Sequence, residues 1–126
     1  MHIKAFAEFL ATALLLISIV GSGIMGETLS QGNDAIALLA NAIATGCMLY
    51  CIITIVGPVS GAYFNPIVSF AFVLRGELAL STALLLISAQ ILGGICGVWL
   101  AHAMFDQSMF QLSQTDRSDT NLWISE

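Results

Sequence analysis

The chain has 126 residues, of which 58% are apolar and 9% charged, with a mean hydropathy of +0.93. A soluble core of this size cannot hide that much apolar surface, so lipid is the expected solvent for most of the chain. The net charge is −5 with three Lys and Arg residues in all, which leaves no basic patch for a phosphate backbone and excludes nucleic acid as a partner.

Met1 to Lys4 followed by an apolar run imitates a signal peptide. The run continues well past a normal signal core and Glu8 interrupts its start, so it reads instead as a first membrane span over about residues 5–26. Residues 27–34 are polar and acidic and contain Gly32. They read as a short exposed loop whose Asp34 caps the next helix. A second span follows over about residues 35–56 and a third over about 80–105, each exceeding the roughly 20 residues that a bilayer needs.

The stretch between the second and third spans is of another kind. Residues 57–66 are rich in Gly, Pro and small side chains yet carry no charge, and Pro66 to Leu74 is mostly apolar before Arg75-Gly76-Glu77. Nine helical residues cover about 14 Å, roughly half of a ~30 Å hydrocarbon core. A re-entrant loop and half-helix over 57–74 is therefore expected. Irregular backbone at that depth survives only when buried in protein or lining a wet cavity, because lipid cannot satisfy its N–H and C=O groups. The expected fold is an all-α integral membrane protein with three transmembrane helices and one re-entrant half-helix. Residues 1–105 form its body and 106–126 a polar tail, in which 109–121 is expected to be poorly ordered.

Small residues recur at four-residue spacing, as Ser18, Ser22 and Gly26 in the first span and Ala89, Gly93, Gly97 and Ala101 in the third. Such stripes let helices approach closely in lipid, so Gly93 and Gly97 are candidate packing positions. Lys4 and Arg75 fall on one side of this topology, which by the bias of basic residues is the cytoplasmic side. A bacterial inner (plasma) membrane with the N-terminus cytoplasmic is the expected location.

Asn65-Pro66 joins a favoured N-cap to a favoured first helical residue. If the half-helix returns to the cytoplasm, its N-terminus points at the membrane midplane with free N–H groups and the positive end of its dipole. A cation is disfavoured there, whereas a neutral polar solute can accept a hydrogen bond from the Asn65 amide. Taken alone, the dipeptide is equally a turn cap under a packed loop. Glu8 lies about one turn inside the membrane edge, where an ionisable group either snorkels to the interface or has a buried partner. Gln90 reads as a buried amide bridging helices.

Cys47, Cys51 and Cys96 stand in apolar runs with no His or carboxylate at ligand spacing. They are expected to be small packing residues and not a metal site or disulfide framework. His102 has no companion ligand close in sequence and reads as an interfacial packing residue. No metal or cofactor is expected, and no nucleophile, base and orienting acid occur together as an enzyme would need.

Ser60-Gly61-Ala62-Tyr63-Phe64-Asn65-Pro66-Ile67-Val68-Ser69 resembles the Ser-Gly-Ala-His-x-Asn-Pro-Ala-Val-Thr signature of the aquaporin and glycerol-facilitator (major intrinsic protein) family. Ala7-Glu8-Phe9-Leu10-Ala11-Thr12 is similar to that family's opening, and Ala89-Gln90 with Gly93, Gly94 and Gly97 resembles its third helix. The matches cover about residues 5–105. Tyr63 stands where His is usual, Ile67 where Ala is usual and Ser69 where Thr is usual. Of these, Ile67 adds bulk at the junction where two half-helices would meet.

The resemblance implies one half of the family's inverted repeat, with Asn65, Pro66 and Ile67 lining a pore and Glu8 and Gln90 bracing the re-entrant loop. It also implies that Thr45, twenty positions before Asn65, contributes to the narrowest part of the pore. A small Thr there suggests a wide opening, although helix packing explains it too. Leu122 to Glu126 resembles the start of a fourth span, so the chain is expected to be truncated before the second repeat. The function implied is passive passage of water or small neutral solutes, once a second half-channel or a homo-oligomer completes the pore. A non-transporting fragment that packs against an intact channel is the alternative, and an unrelated three-span scaffold a third.

Overall fold

The computed structural model describes residues 1–111 and Thr120. Residues 1–111 hold four helices: α1 (His2–Leu29), α2 (Asp34–Ser60), α3 (Pro66–Leu74) and α4 (Leu80–Met104). Among the described residues there is no strand. Three helices, α1, α2 and α4, are long and apolar enough to cross a membrane. The expectations about residues 112–119 and 121–126, including the fourth-span start, lie outside the described residues.

Burial is inverted relative to a water-soluble core. Glu8, Thr12, Ser60, Ser69 and Gln90 are buried, while Leu38, Leu39, Ile43, Ile55, Leu84 and Leu92 are exposed. Lipid solvates the apolar exterior, so the interior takes small residues and polar groups that need partners beside a few large apolar side chains, Leu86, Ile52 and Phe64.

Helix α1 is the hub, packing against α2 on one side and α4 on another, and α3 packs against α4. Gly93 and Gly97 of α4 sit directly on the backbone of α1. A methyl group at either position would overlap the carbonyl oxygen of Phe9 or Ala13 and come within 3.0 Å of the Phe9 Cα or 2.9 Å of the Ala13 Cα. The α1–α2 contact is close but less so, since a methyl at Gly26 would lie 3.1 Å from the Ala37 carbonyl oxygen. Polar bonds reinforce it: Asn41 Nδ2 donates to the Ile19 carbonyl (2.7 Å) and to Ser22 Oγ (3.0 Å), and Ser18 Oγ donates to the Ala44 carbonyl (3.3 Å).

Three local expectations need correction. The 27–34 loop is shorter than expected, because α1 runs on to Leu29, and the N-cap of α2 is Asn33, whose side chain accepts from the Ile36 amide. Asp34 is instead the first helical residue, where its charge still complements the helix dipole. The irregular segment does not begin at Gly57 either. Helix α2 carries Pro58 within it and ends at Ser60, where Gly61 adopts the left-handed conformation (φ 107°) and donates its N–H to the Gly57 carbonyl. Finally, Cys47, Cys51 and Cys96, expected as packing residues, are exposed on the helix surfaces. Apolar character in a membrane helix does not say which way a side chain faces.

Candidate functional site

The site is built around the five residues between α2 and α3. Gly61 ends α2 in a conformation open mainly to glycine, and a side chain there would strike the Tyr63 ring at 2.8 Å. Ala62 (φ 58°) and Phe64 (φ 51°) also occupy the left-handed region, which costs an ordinary side chain of order 1–3 kcal/mol. Two arrangements offset that cost. Phe64 packs with Ala11 and Ile52, flanked by Leu15, Met48 and Val56. The loop's amides also find an acceptor.

That acceptor is Glu8, which is fully buried. Its Oε1 accepts from Ser60 Oγ (2.5 Å) and the Tyr63 amide (3.1 Å), and its Oε2 from the Phe64 amide (2.7 Å) and Gln90 Nε2 (2.8 Å). Ser60 Oγ accepts in turn from the Ala62 amide at 3.1 Å. Gln90 Nε2 also donates to Ser69 Oγ (2.9 Å), whose hydroxyl lies 3.3 Å from Gln90 Oε1. One carboxylate on α1 thus joins the end of α2, the loop, α4 and, through Gln90 and Ser69, the body of α3.

Asn65 opens α3 from an extended conformation, and its Oδ1 accepts the Ile67 amide at 2.8 Å. With Oδ1 engaged, the side-chain amide nitrogen of Asn65 is left to point outward, and the residue is exposed. Above it opens a trough of about 500 Å³ lined by Thr12 and Leu16 of α1, by Phe64, Asn65 and Pro66, and by α4 from Gln90 to Trp99. Leu16 and Ile91 lie near the middles of their 28- and 25-residue helices. The start of α3 thus opens on a trough that reaches the middles of α1 and α4.

Of the sequence-derived candidates, Asn65, Pro66 and Gln90 meet at this trough, and Glu8 lies beneath it, bonded to the loop. Ile67 is 75% exposed, just outside the lining. Thr45 does not reach the trough, and its hydroxyl oxygen is covered without a hydrogen-bond partner. Gly93 and Gly97 are buried in the α1–α4 contact. Sequence reasoning passed over Ser60 as an individual ligand of Glu8 and missed Asn41 altogether. An Asn within an otherwise apolar span was the available signal, because such a group in lipid needs a partner. Among the described residues no group of His, Cys, Asp and Glu could hold a metal ion.

Comparison with known proteins agrees with this construction. The chain matches the family model described as major intrinsic protein over residues 2–123. It is 46% identical over 123 residues to the aquaglyceroporin AqpS of Rhizobium meliloti (strain 1021), covering 98% of this chain and 52% of that protein. It is 39% identical over 100 residues to the probable aquaporin PIP2-8 of Oryza sativa subsp. japonica, covering 79% of this chain and 35% of the relative. With Aquaporin PIP2-1 of Arabidopsis thaliana the identity is 37% over 103 residues, covering 77% and 36%. The chain spans about half the length, or less, of the curated relatives it matches. A family match over nearly the whole chain, joined to this fold, shows that the chain is an integral membrane protein belonging to the major intrinsic protein family.

Proposed function

We propose that this chain is one half of a passive channel for water or small neutral solutes, complete when a second half closes the trough over Asn65. The observation that carries the reading is the start of α3. A helix N-terminus and an outward-pointing amide are held at this trough on irregular backbone, and the buried Glu8 supplies that backbone's acceptors. Such a point repels cations through the helix dipole and offers a neutral solute a hydrogen bond. Asn65, Pro66 and Ile67 are the proposed pore-lining residues, with Glu8 and Gln90 bracing them. Thr45 of α2 does not line this trough; with its hydroxyl covered, it is proposed to bear on the narrowest part only by its small size, once the second half is in place. The relative named an aquaglyceroporin supports solutes of the glycerol class. Lys4 and Arg75 favour a cytoplasmic N-terminus, in the inner membrane of a bacterium.

The test is co-reconstitution in liposomes with the second half of the Rhizobium meliloti aquaglyceroporin, followed by osmotic shrinkage and solute-driven reswelling. Flux above that of vesicles holding either half alone, altered by Asn65→Asp, is expected. Asp keeps the oxygen that caps α3 and removes the amide donor. No flux, with both halves shown to be inserted, overturns the proposal in favour of a non-transporting fragment.

A further inference from the structure

We propose that Phe72 and Arg75 are positioning residues for the passage: with Gly61 they clamp the ring of Tyr63, and the clamp fixes the loop that aims the Asn65 amide. This rests on the half-channel reading and extends it to the turn between α3 and α4. The two sides of the loop are held differently. Ala62 and Phe64 pack into the apolar cluster with Ala11 and Ile52, whereas Tyr63, between them, takes no part in it. Glu8 fixes the amide of Tyr63 and leaves its ring to find another support. A loop with positive φ at Gly61, Ala62 and Phe64 relieves its strain by turning residue 63 unless that side is anchored too.

The second anchor is a stack of side chains. The Tyr63 ring lies on the bare α-carbon of Gly61 and meets Phe72 edge to face, with centroids 5.1 Å apart and an interplanar angle of 76°. The Arg75 guanidinium stands 5.6 Å from the centre of the same Phe72 ring. Glu77 Oε1 accepts from Arg75 Nε at 2.7 Å and from Nη2 at 2.6 Å. Phe72 is also the pivot of the turn, because its carbonyl accepts the Glu77 and Leu78 amides at 3.0 and 3.2 Å. One residue thus holds the turn through its backbone and the loop through its ring.

The ion pair by itself does not account for this arrangement. The side chains of Arg75 and Glu77 are 67% and 45% exposed, and a pair so exposed adds little to stability. Its effect is on direction: Glu77 keeps the guanidinium across the face of Phe72, where the ring quadrupole attracts a cation. Phe72 so covered keeps its contact with Tyr63, two residues before Asn65. Asn65 Oδ1 is bound to the Ile67 amide, so the direction of the free amide nitrogen follows the backbone that the clamp holds.

The experiment compares Phe72→Leu, Arg75→Met and Arg75→Lys with the unaltered chain. Leu keeps apolar bulk without an aromatic ring, Met keeps the stem of Arg75 without the cation, and Lys restores a cation. Amide exchange in mixed micelles reads the loop. Phe72→Leu and Arg75→Met are expected to lower protection of the Tyr63 amide about 3- to 10-fold with little change in the SDS unfolding midpoint, and Arg75→Lys to stay within about 2-fold of wild type. Protection unchanged in Phe72→Leu, or as high in Arg75→Met as in wild type, overturns the clamp, since Met matches a side chain that merely covers Phe72. The same variants are co-reconstituted with the second half of the Rhizobium meliloti aquaglyceroporin, and glycerol-driven reswelling is compared with osmotic shrinkage. The ratio of glycerol to water flux is expected to fall several-fold in Phe72→Leu and Arg75→Met and to return in Arg75→Lys, because a solute with several hydroxyls depends on an aimed donor more than water does. A ratio unchanged where Tyr63 protection has fallen overturns the role in passage and leaves the clamp structural. No flux from the unaltered pair removes the half-channel reading and the role in passage with it, while the exchange result still decides whether the clamp exists.

Discussion

Replacing Glu8 by Gln keeps the size of the side chain and removes one of its two acceptors. Four donors converge on the carboxylate: Ser60 Oγ, the Tyr63 and Phe64 amides, and Gln90 Nε2. If the new amide nitrogen takes the Oε1 place, Ser60 can rotate to accept from it, but the Tyr63 N–H is left facing a donor. If it takes the Oε2 place, Gln90 can turn its own oxygen inward at the expense of Ser69, and the Phe64 N–H is stranded. Either way one buried backbone donor is orphaned, at about 1–3 kcal/mol, and the remaining bonds fall from charge-assisted to neutral strength, about another 1–2 kcal/mol. The expected destabilisation is roughly 2–5 kcal/mol, large beside the usual margin of a folded domain. Unfolding by SDS titration in mixed micelles measures the total. Amide exchange at Tyr63 and Phe64 localises it, with protection at one of them falling about 100-fold for each ~2.7 kcal/mol lost locally. An unfolding midpoint within error of wild type, with both amides as protected as before, would refute the idea that this carboxylate holds the loop.

Gly93→Ala or Gly97→Ala puts a methyl into the backbone of α1 and is expected to destabilise by about 1–3 kcal/mol or more, whereas Gly46→Ala, which meets nothing within 4 Å, should be neutral or slightly stabilising in the same titration. Asn41→Leu removes two hydrogen bonds between α1 and α2 and should cost about 1 kcal/mol, since interhelical bonds in membranes average near 0.6 kcal/mol; a cost below 0.3 kcal/mol would mean that packing alone joins these helices. Gly61→Ala is expected to cost more than its buried volume suggests, because the residue must hold φ 107° against the Tyr63 ring, and circular dichroism should show the loss as a lowered melting temperature.

What the sequence made legible was local. Asn65-Pro66 announced the start of α3 because an N-cap and a proline at the first helical position are both short-range signals, and α3 occupies Pro66–Leu74. The Gly- and Pro-rich stretch from Gly57, with Pro58 in it, misled for the same local reason. It reads as a helix breaker, yet α2 continues to Ser60, because a single proline in a long membrane helix is tolerated and the terminating feature is the left-handed Gly61. The partners of Glu8 lie 52 to 82 residues away, and no periodicity encodes such pairings. Only resemblance to a family suggested that this carboxylate belongs to the loop. The outward turn of the three cysteines was illegible because in lipid both faces of a helix are apolar.

The position of Glu8 follows from the strain around it. With Ala62 and Phe64 in the left-handed region, the Tyr63 and Phe64 amides are turned onto Glu8 and the Ala62 amide onto Ser60 Oγ, where no helix or strand ladder receives them. A neutral acceptor of the same size offers one oxygen to a loop that presents several donors. A carboxylate offers two oxygens, and each of them here takes two bonds. An acidic residue in a span is costly unless every lone pair is used, and the loop is strained unless its donors are used. Each arrangement supplies what the other lacks, so the motif around Asn65 and the Glu8 that serves it stand or fall together.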